Sequence, residues 1–108
     1  MASFDVFVNV AGGVRIDEPA VDLGVMVALA SSLKEVPADH ESVVIGEVGL
    51  GGEVRAVGQI ERRIKEAEKL GFKKCIIPQG NLKGLNQKFD LKITGVKNVG
   101  ETLNLMLT

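Results

Sequence analysis

Tryptophan and tyrosine are absent from this 108-residue sequence and phenylalanine occurs only four times, so it holds no set of aromatic platforms on which bases could stack. Cysteine occurs once, at Cys75, which excludes an intramolecular disulfide. His40 is the single histidine, and with one cysteine it makes no zinc ligand set of the usual spacing, so no metal site is expected. No apolar run reaches the roughly 18 residues that a membrane span requires. The opening MASFDVFVNV lacks the basic region, long apolar core and cleavage site of a signal peptide. Together these absences lead to the expectation of one cytoplasmic domain over 1–108, without structural metal or membrane partner.

What is present is an apolar, charge-segregated chain. Hydrophobic residues make up 45% of it, enough for a buried core of ordinary size. Residues 1–54 carry two Lys/Arg against nine Asp/Glu, net −7, and residues 55–108 carry eleven against five, net +6. Such asymmetry suits either a basic binding face or complementary faces that let copies of the domain pack together.

The pattern along the chain alternates strands and helices. FDVFVNVAGGVRI reads as two short strands about a Gly-Gly turn. Residues 20–33 are apolar around the whole helix axis, interrupted only by Asp22, Ser31 and Ser32, and predict a central, enclosed helix whose serines bond back to helix carbonyls. VVIGEV predicts a strand, and GLGGEVRAVG a glycine hairpin with a return strand over 53–57. QIERRIKEAEKLGF places Ile60, Ile64, Ala67 and Leu70 at helical spacing with Gly71 as the stop. Arg62, Lys65 and Lys69 line up on the outward face of that helix, while Arg63 falls near the apolar edge and has to snorkel. KKCIIP and LKITGV predict strands around the polar loop QGNLKGLNQKFD, and NVGETLNLML a last helix capped by Asn98. An α/β (α+β) domain, a mixed sheet packed with helices, accommodates this order.

A search for chemistry finds little. The glycines of GEVGLGGEVRAVG precede no Gly-Lys-Ser/Thr and match neither nucleotide fingerprint. Cys75 lies in an apolar strand and reads as a small core residue. The acid pairs Asp17/Glu18 and Glu47/Glu53 stand without a histidine or metal loop, and helix-start charge and strand-end solvation account for them. The start of the central helix, where a nucleophile is best exposed, carries Pro19 and Ala20, and a methyl group neither attacks nor moves a proton.

The stretches DEPAVDLGVMVALASSL, GEVGLGGEVRAVGQIERRIKEAEKLGF and IIP resemble, in order and spacing, the proteolytic domain of Lon proteases. The resemblance implies the Lon proteolytic-domain fold, of the ribosomal protein S5 domain 2-like type. It also implies where a Ser-Lys dyad belongs: the serine position is Ala20 here, and the lysine position, ten residues before Gly71, is Glu61. Neither residue can serve as its counterpart, so no peptidase activity is expected and no catalytic residue is assigned. DVFVNVAGGVRIDEPAVDL and GEVGLGGEVR are similar to the Lon-protease-like C-terminal domain of the RadA/Sms family of bacterial DNA repair proteins.

That second resemblance implies a piece excised from a longer protein, with a zinc module and a RecA-like ATPase elsewhere, and the initial Met-Ala-Ser foreign to the domain. ATP, magnesium and zinc belong to those other parts, and no cofactor is expected here. The implied partners are other copies of the chain in a homohexamer, single-stranded or branched DNA, and a recombinase. The candidate phosphate contacts are Arg62, Lys65, Lys69, Lys73, Lys74 and Arg15, sequence-independent because no aromatic set accompanies them. The alternatives are an oligomerisation domain that touches no DNA, a Lon-type peptidase carrying an inactivating replacement at Ala20, and an unrelated binding protein.

Overall fold

The computed structural model describes residues 18–107. The two strands expected within FDVFVNVAGGVRI, together with Arg15 and Asp17, lie outside the described residues.

A 3-10 turn over Pro19–Val21 leads into α1, Asp22–Lys34. Next come β1, Ser42–Val44, then β2, Glu47–Val48, and β3, Val54–Arg55. They are followed by α2, Ile60–Lys69, and β4, Lys74–Pro78. A 3-10 segment over Gln79–Gly84, β5 at Lys92–Val96 and α3 at Val99–Met106 complete the order.

Among the described residues, β1, β4 and β5 form a parallel sheet in the order β1-β4-β5, with Val43 opposite Cys75 and Ile76 opposite Thr94. Successive strand side chains point to opposite faces, and a parallel sheet is stable only with both faces covered. Val43, Cys75 and Ile77 accordingly meet Ile60, Ile64 and Ala67 of α2 on one face. Val44, Ile76 and Val96 meet Leu23 and Val27 of α1 and Met106 of α3 on the other. The result is a helix–sheet–helix sandwich, the α/β class expected, with α2 on one side and α1 and α3 on the other.

Three local expectations change. VVIGEV is two strands: Ile45 still donates its amide to Ile76 O, but the chain then turns at Gly46, and Glu47 and Val48 pair antiparallel with Arg55 and Val54 as a separate ribbon. Gly46 allows the turn because a Cβ there would lie 2.9 Å from Val54 Cγ1 and 3.2 Å from Leu23 Cδ2. Among the described residues the strands thus form a parallel sheet and an antiparallel pair.

Second, the described residues do not enclose α1. It lies in an outer layer, so Leu23 and Val27 are buried while Met26, Leu29 and Leu33 stand 40%, 43% and 84% exposed. Third, Ser31 Oγ donates forward to Val36 O, beyond the helix end.

The other ends are as read from sequence. Gly71 takes φ +92°, with its amide bonded to Glu68 O and that of Phe72 to Ala67 O, a Schellman stop. Asn98 Oδ1 accepts the Glu101 amide at 2.8 Å, while Glu101 Oε1 accepts that of Lys97 at 2.7 Å. Cys75 is fully buried, and burial pushes its thiol up to about 12.

Candidate functional site

The start of α1 is closed. Ala20 is 5% exposed and belongs to the apolar cluster of Val43, Ile45, Ile60 and Ile64. Its carbonyl accepts the Gly46 amide at 2.9 Å, and Gly46 O in turn accepts that of Leu23 at 3.0 Å. Arg63 lies across this start, with Nη1 2.5 Å from Glu18 Oε1 and Nε donating to Gly58 O at 2.9 Å. Its snorkelling therefore ends in a bridge between the starts of α1 and α2, a contact between residues 45 positions apart that periodicity does not register. Among the described residues the Ala20 side chain is packed in this apolar cluster, and a methyl group neither attacks nor moves a proton.

Glu61 is committed elsewhere. Its Oε2 accepts the Asn86 amide at 2.7 Å, and Glu68, two helical turns on, accepts the Asp90 amide through Oε2 at 2.6 Å. The two carboxylates hang the loop after the 3-10 segment on the flank of α2. At the other end of that segment Asn81 imitates a strand: its Oδ1 accepts the Val57 amide and its Nδ2 donates to Val57 O, both at 3.0 Å. This fixes the turn before α2, where Gln59 holds a left-handed φ of 56°.

Between α2 and the loop runs an open groove of about 780 Å³, lined by Glu61, Arg62, Lys65 and Lys69 on the helix and Gly84 and Gln87 on the loop. The helix supplies the cations because its buried face, Ile60, Ile64 and Ala67, sets the opposite face outward. Arg62 Nη1 donates to Gln59 Oε1 at 3.2 Å. Among the described residues none of Arg62, Lys65 and Lys69 forms an ion pair, whereas Arg55, Arg63 and Lys74 all do. Glu66 also lines the groove, so its wall is mixed in charge, with three cations against two carboxylates.

The six candidate cations thus divide. Arg62, Lys65 and Lys69 come together along the groove. Lys73 and Lys74 stand at the start of β4, where Lys74 is opposite Lys92 in the sheet and its ammonium lies 3.3 Å from Asp39 Oδ2. Asp39 also accepts the Glu41 amide and the Ser42 hydroxyl; the amide above all holds its carboxyl below the usual value, against the opposing pull of burial. Lys74 is therefore a structural cation. Arg15 lies outside the described residues.

Sequence reasoning missed the loop: Lys83 and Lys88 are exposed on either side of the lining residues Gly84 and Gln87. The signal was present in QGNLKGLNQKFD, whose two lysines accompany one acid, but only the tertiary fold brings the Gly84 and Gln87 between them to the groove.

Of the acid pairs, Glu47 and Glu53 share Arg55, at 3.7 and 2.8 Å, and this contact holds the Glu53 carboxyl below its usual value, while Asp17 lies outside the described residues. Among the described residues no group of three or more His, Cys, Asp or Glu could hold a metal ion, and no helix is long and apolar enough to cross a membrane.

Residues 1–108 match the model of the Lon protease (S16) C-terminal proteolytic domain, and the chain belongs to that family. Within it, the chain is similar to proteins named DNA repair protein RadA. It is 50% identical over 103 residues to that of Bacillus subtilis (strain 168), 95% of this chain and 22% of the relative. It is 46% identical over 104 residues to that of Streptococcus pyogenes serotype M1, 96% and 23%, and 44% identical over 107 residues to that of Chlamydia pneumoniae, 97% and 24%. The chain spans under a quarter of the length of these curated relatives.

Proposed function

We propose that this chain is a non-proteolytic Lon-like domain of a DNA repair protein, and that it contacts DNA without regard to sequence through the groove along α2. The observation that carries the reading is the row of three exposed cations, Arg62, Lys65 and Lys69, without ion-pair partners among the described residues, on a helix whose neighbouring cation Arg63 is paired. Exposed cations in line on one helix face are suited to successive phosphates, and the absence of tryptophan and tyrosine limits contacts to the backbone. Single-stranded or branched DNA is the proposed ligand. ATP, magnesium and zinc chemistry, and a recombinase partner, fall to the rest of such a protein, which acts in the bacterial cytoplasm.

The same domain is proposed to help build a homohexamer. Met26, Leu29 and Leu33, exposed at helical spacing on α1, together with the fully exposed Leu50 at the hairpin tip, support a role in self-association. A peptidase reading has the Ala20 methyl and the engaged Glu61 carboxylate against it.

The test is DNA retardation at low salt by the native chain and by a variant with Arg62, Lys65 and Lys69 all changed to Ala, with mass in solution recorded alongside. The expected result is about a hundredfold loss of affinity in the variant, the order that three phosphate contacts contribute near 0.1 M salt. Native chain that assembles but binds no DNA at low salt would favour the oligomerisation reading.

A further inference from the structure

We propose that Glu61, at the position where a Lon protease carries its catalytic lysine, is a positioning residue for the DNA groove: its carboxylate holds the loop over 83–90 in place as a second basic wall opposite α2. The inference rests on the DNA-binding reading above and assigns it a residue and a part of the chain.

Three observations meet here. Glu61 Oε2 accepts the Asn86 amide at 2.7 Å, while Glu61 itself lines the groove beside Arg62 and Lys65. The loop amide it holds lies in the chain between Gly84 and Gln87, which line the facing wall, and the exposed Lys83 and Lys88 adjoin those two residues in sequence. Glu68 repeats the contact on Asp90, so the loop is tied at two points four residues apart. A carboxylate accepting a backbone amide makes one of the stronger hydrogen bonds, and a lysine there could not accept it at all. The replacement of lysine by glutamate thus converts a proton-transfer position into a strut.

This role has a sign that separates it from simple electrostatics. Glu61 is an anion among phosphate-binding cations, and removing its charge alone should strengthen DNA binding. Removing the strut should weaken it, because Lys83 and Lys88 are then no longer held against the groove. Glu61→Gln removes the charge and keeps an oxygen that can accept the Asn86 amide. Glu61→Ala removes both.

The experiment measures DNA affinity over a salt series for the native chain, Glu61→Gln, Glu61→Ala, and Lys83→Ala with Lys88→Ala. Amide exchange at Asn86 to Lys88 is read in each, and thermal melting reports folding. Glu61→Gln is expected to bind at least as tightly as native with native exchange. Glu61→Ala is expected to exchange faster in the loop and bind about tenfold more weakly than Glu61→Gln. Its salt slope should be shallower by roughly 1.4, two contacts' worth on a single strand, as in the double lysine variant.

If Glu61→Ala and Glu61→Gln bind alike while native binds, charge alone matters and the strut is overturned, with the DNA reading intact. The strut is also overturned if loop exchange is unmoved in Glu61→Ala. Should Glu61→Ala fail to fold, Glu68→Ala takes its place at the second tie, with the same increase in exchange expected and native exchange contradicting it. Native chain that binds no DNA at low salt ends the DNA reading and this inference together, and is distinguished by the silence of the native protein itself.

Discussion

The two longer helices are joined at their starts by Arg63 and are opposites in what they do with their outer surface. The start of α1 is sealed, with Ala20 packed among Ile45, Ile60 and Ile64 and the Glu18–Arg63 pair across it. The flank of α2 is open, with cations in a row and a groove beside them. Two residues of this region have different structural uses: Ala20 fills the core, and the Glu61 carboxylate accepts a loop amide.

The largest expected effect comes from opening the seal. Ile64 is fully buried and joins α2 to Ala20 and the sheet, so Ile64→Ala should cost about 3 kcal/mol in denaturant unfolding. A cost under about 1 kcal/mol would mean that α2 is loosely seated and that the groove has no firm wall.

Ala20→Ser comes next. It places a hydroxyl in an apolar cluster and should cost about 1–2 kcal/mol, the range for an unsatisfied buried hydroxyl. Peptide hydrolysis is not expected from it, and an assay that detected hydrolysis would contradict the closed description of the α1 start.

The helix ends extend the comparison. α1 stops on Glu35 at φ 56°, and α2 stops beside Gly71 at φ 92°. Glu35→Gly should raise stability and Gly71→Ala lower it, each by roughly 1 kcal/mol, because only glycine holds a left-handed backbone without strain.

The smallest effect concerns Cys75. Its thiol is raised to about 12 by burial from an ordinary 9.0. The unfolded chain therefore loses that proton first, so the stability linked to it is intact below pH 9 and is lost as pH rises from 9 towards 12. At pH 8 alkylation should be slow in the native protein and fast in denaturant; equal rates would place Cys75 at the surface.

These particulars also mark how far the sequence could be read. The helix at α2 was legible because Ile60, Ile64 and Ala67 repeat at its period and Gly71 ends it, and Asn98 and Cys75 were legible because capping and apolar burial are local signals. Along VVIGEV, alternation gave no sign of the turn at Gly46, whose need for glycine comes from Val54 and Leu23 across the fold. α1 reads as enclosed because its composition is apolar all round, yet composition does not say in which layer a helix lies. At the site, the cation row was legible from spacing. The contact of Glu61 with Asn86 and that of Arg63 with Glu18 were not, since each joins residues that only the tertiary fold brings together.

The most direct test of the open flank of α2 is the salt dependence of single-stranded DNA binding by the native chain. The account predicts that log affinity falls linearly with log salt concentration, with a slope of about −2 for the α2 cations alone, steeper if the loop lysines contribute. A slope near zero, or no binding at low salt, would contradict it and leave the groove without a phosphate backbone to hold.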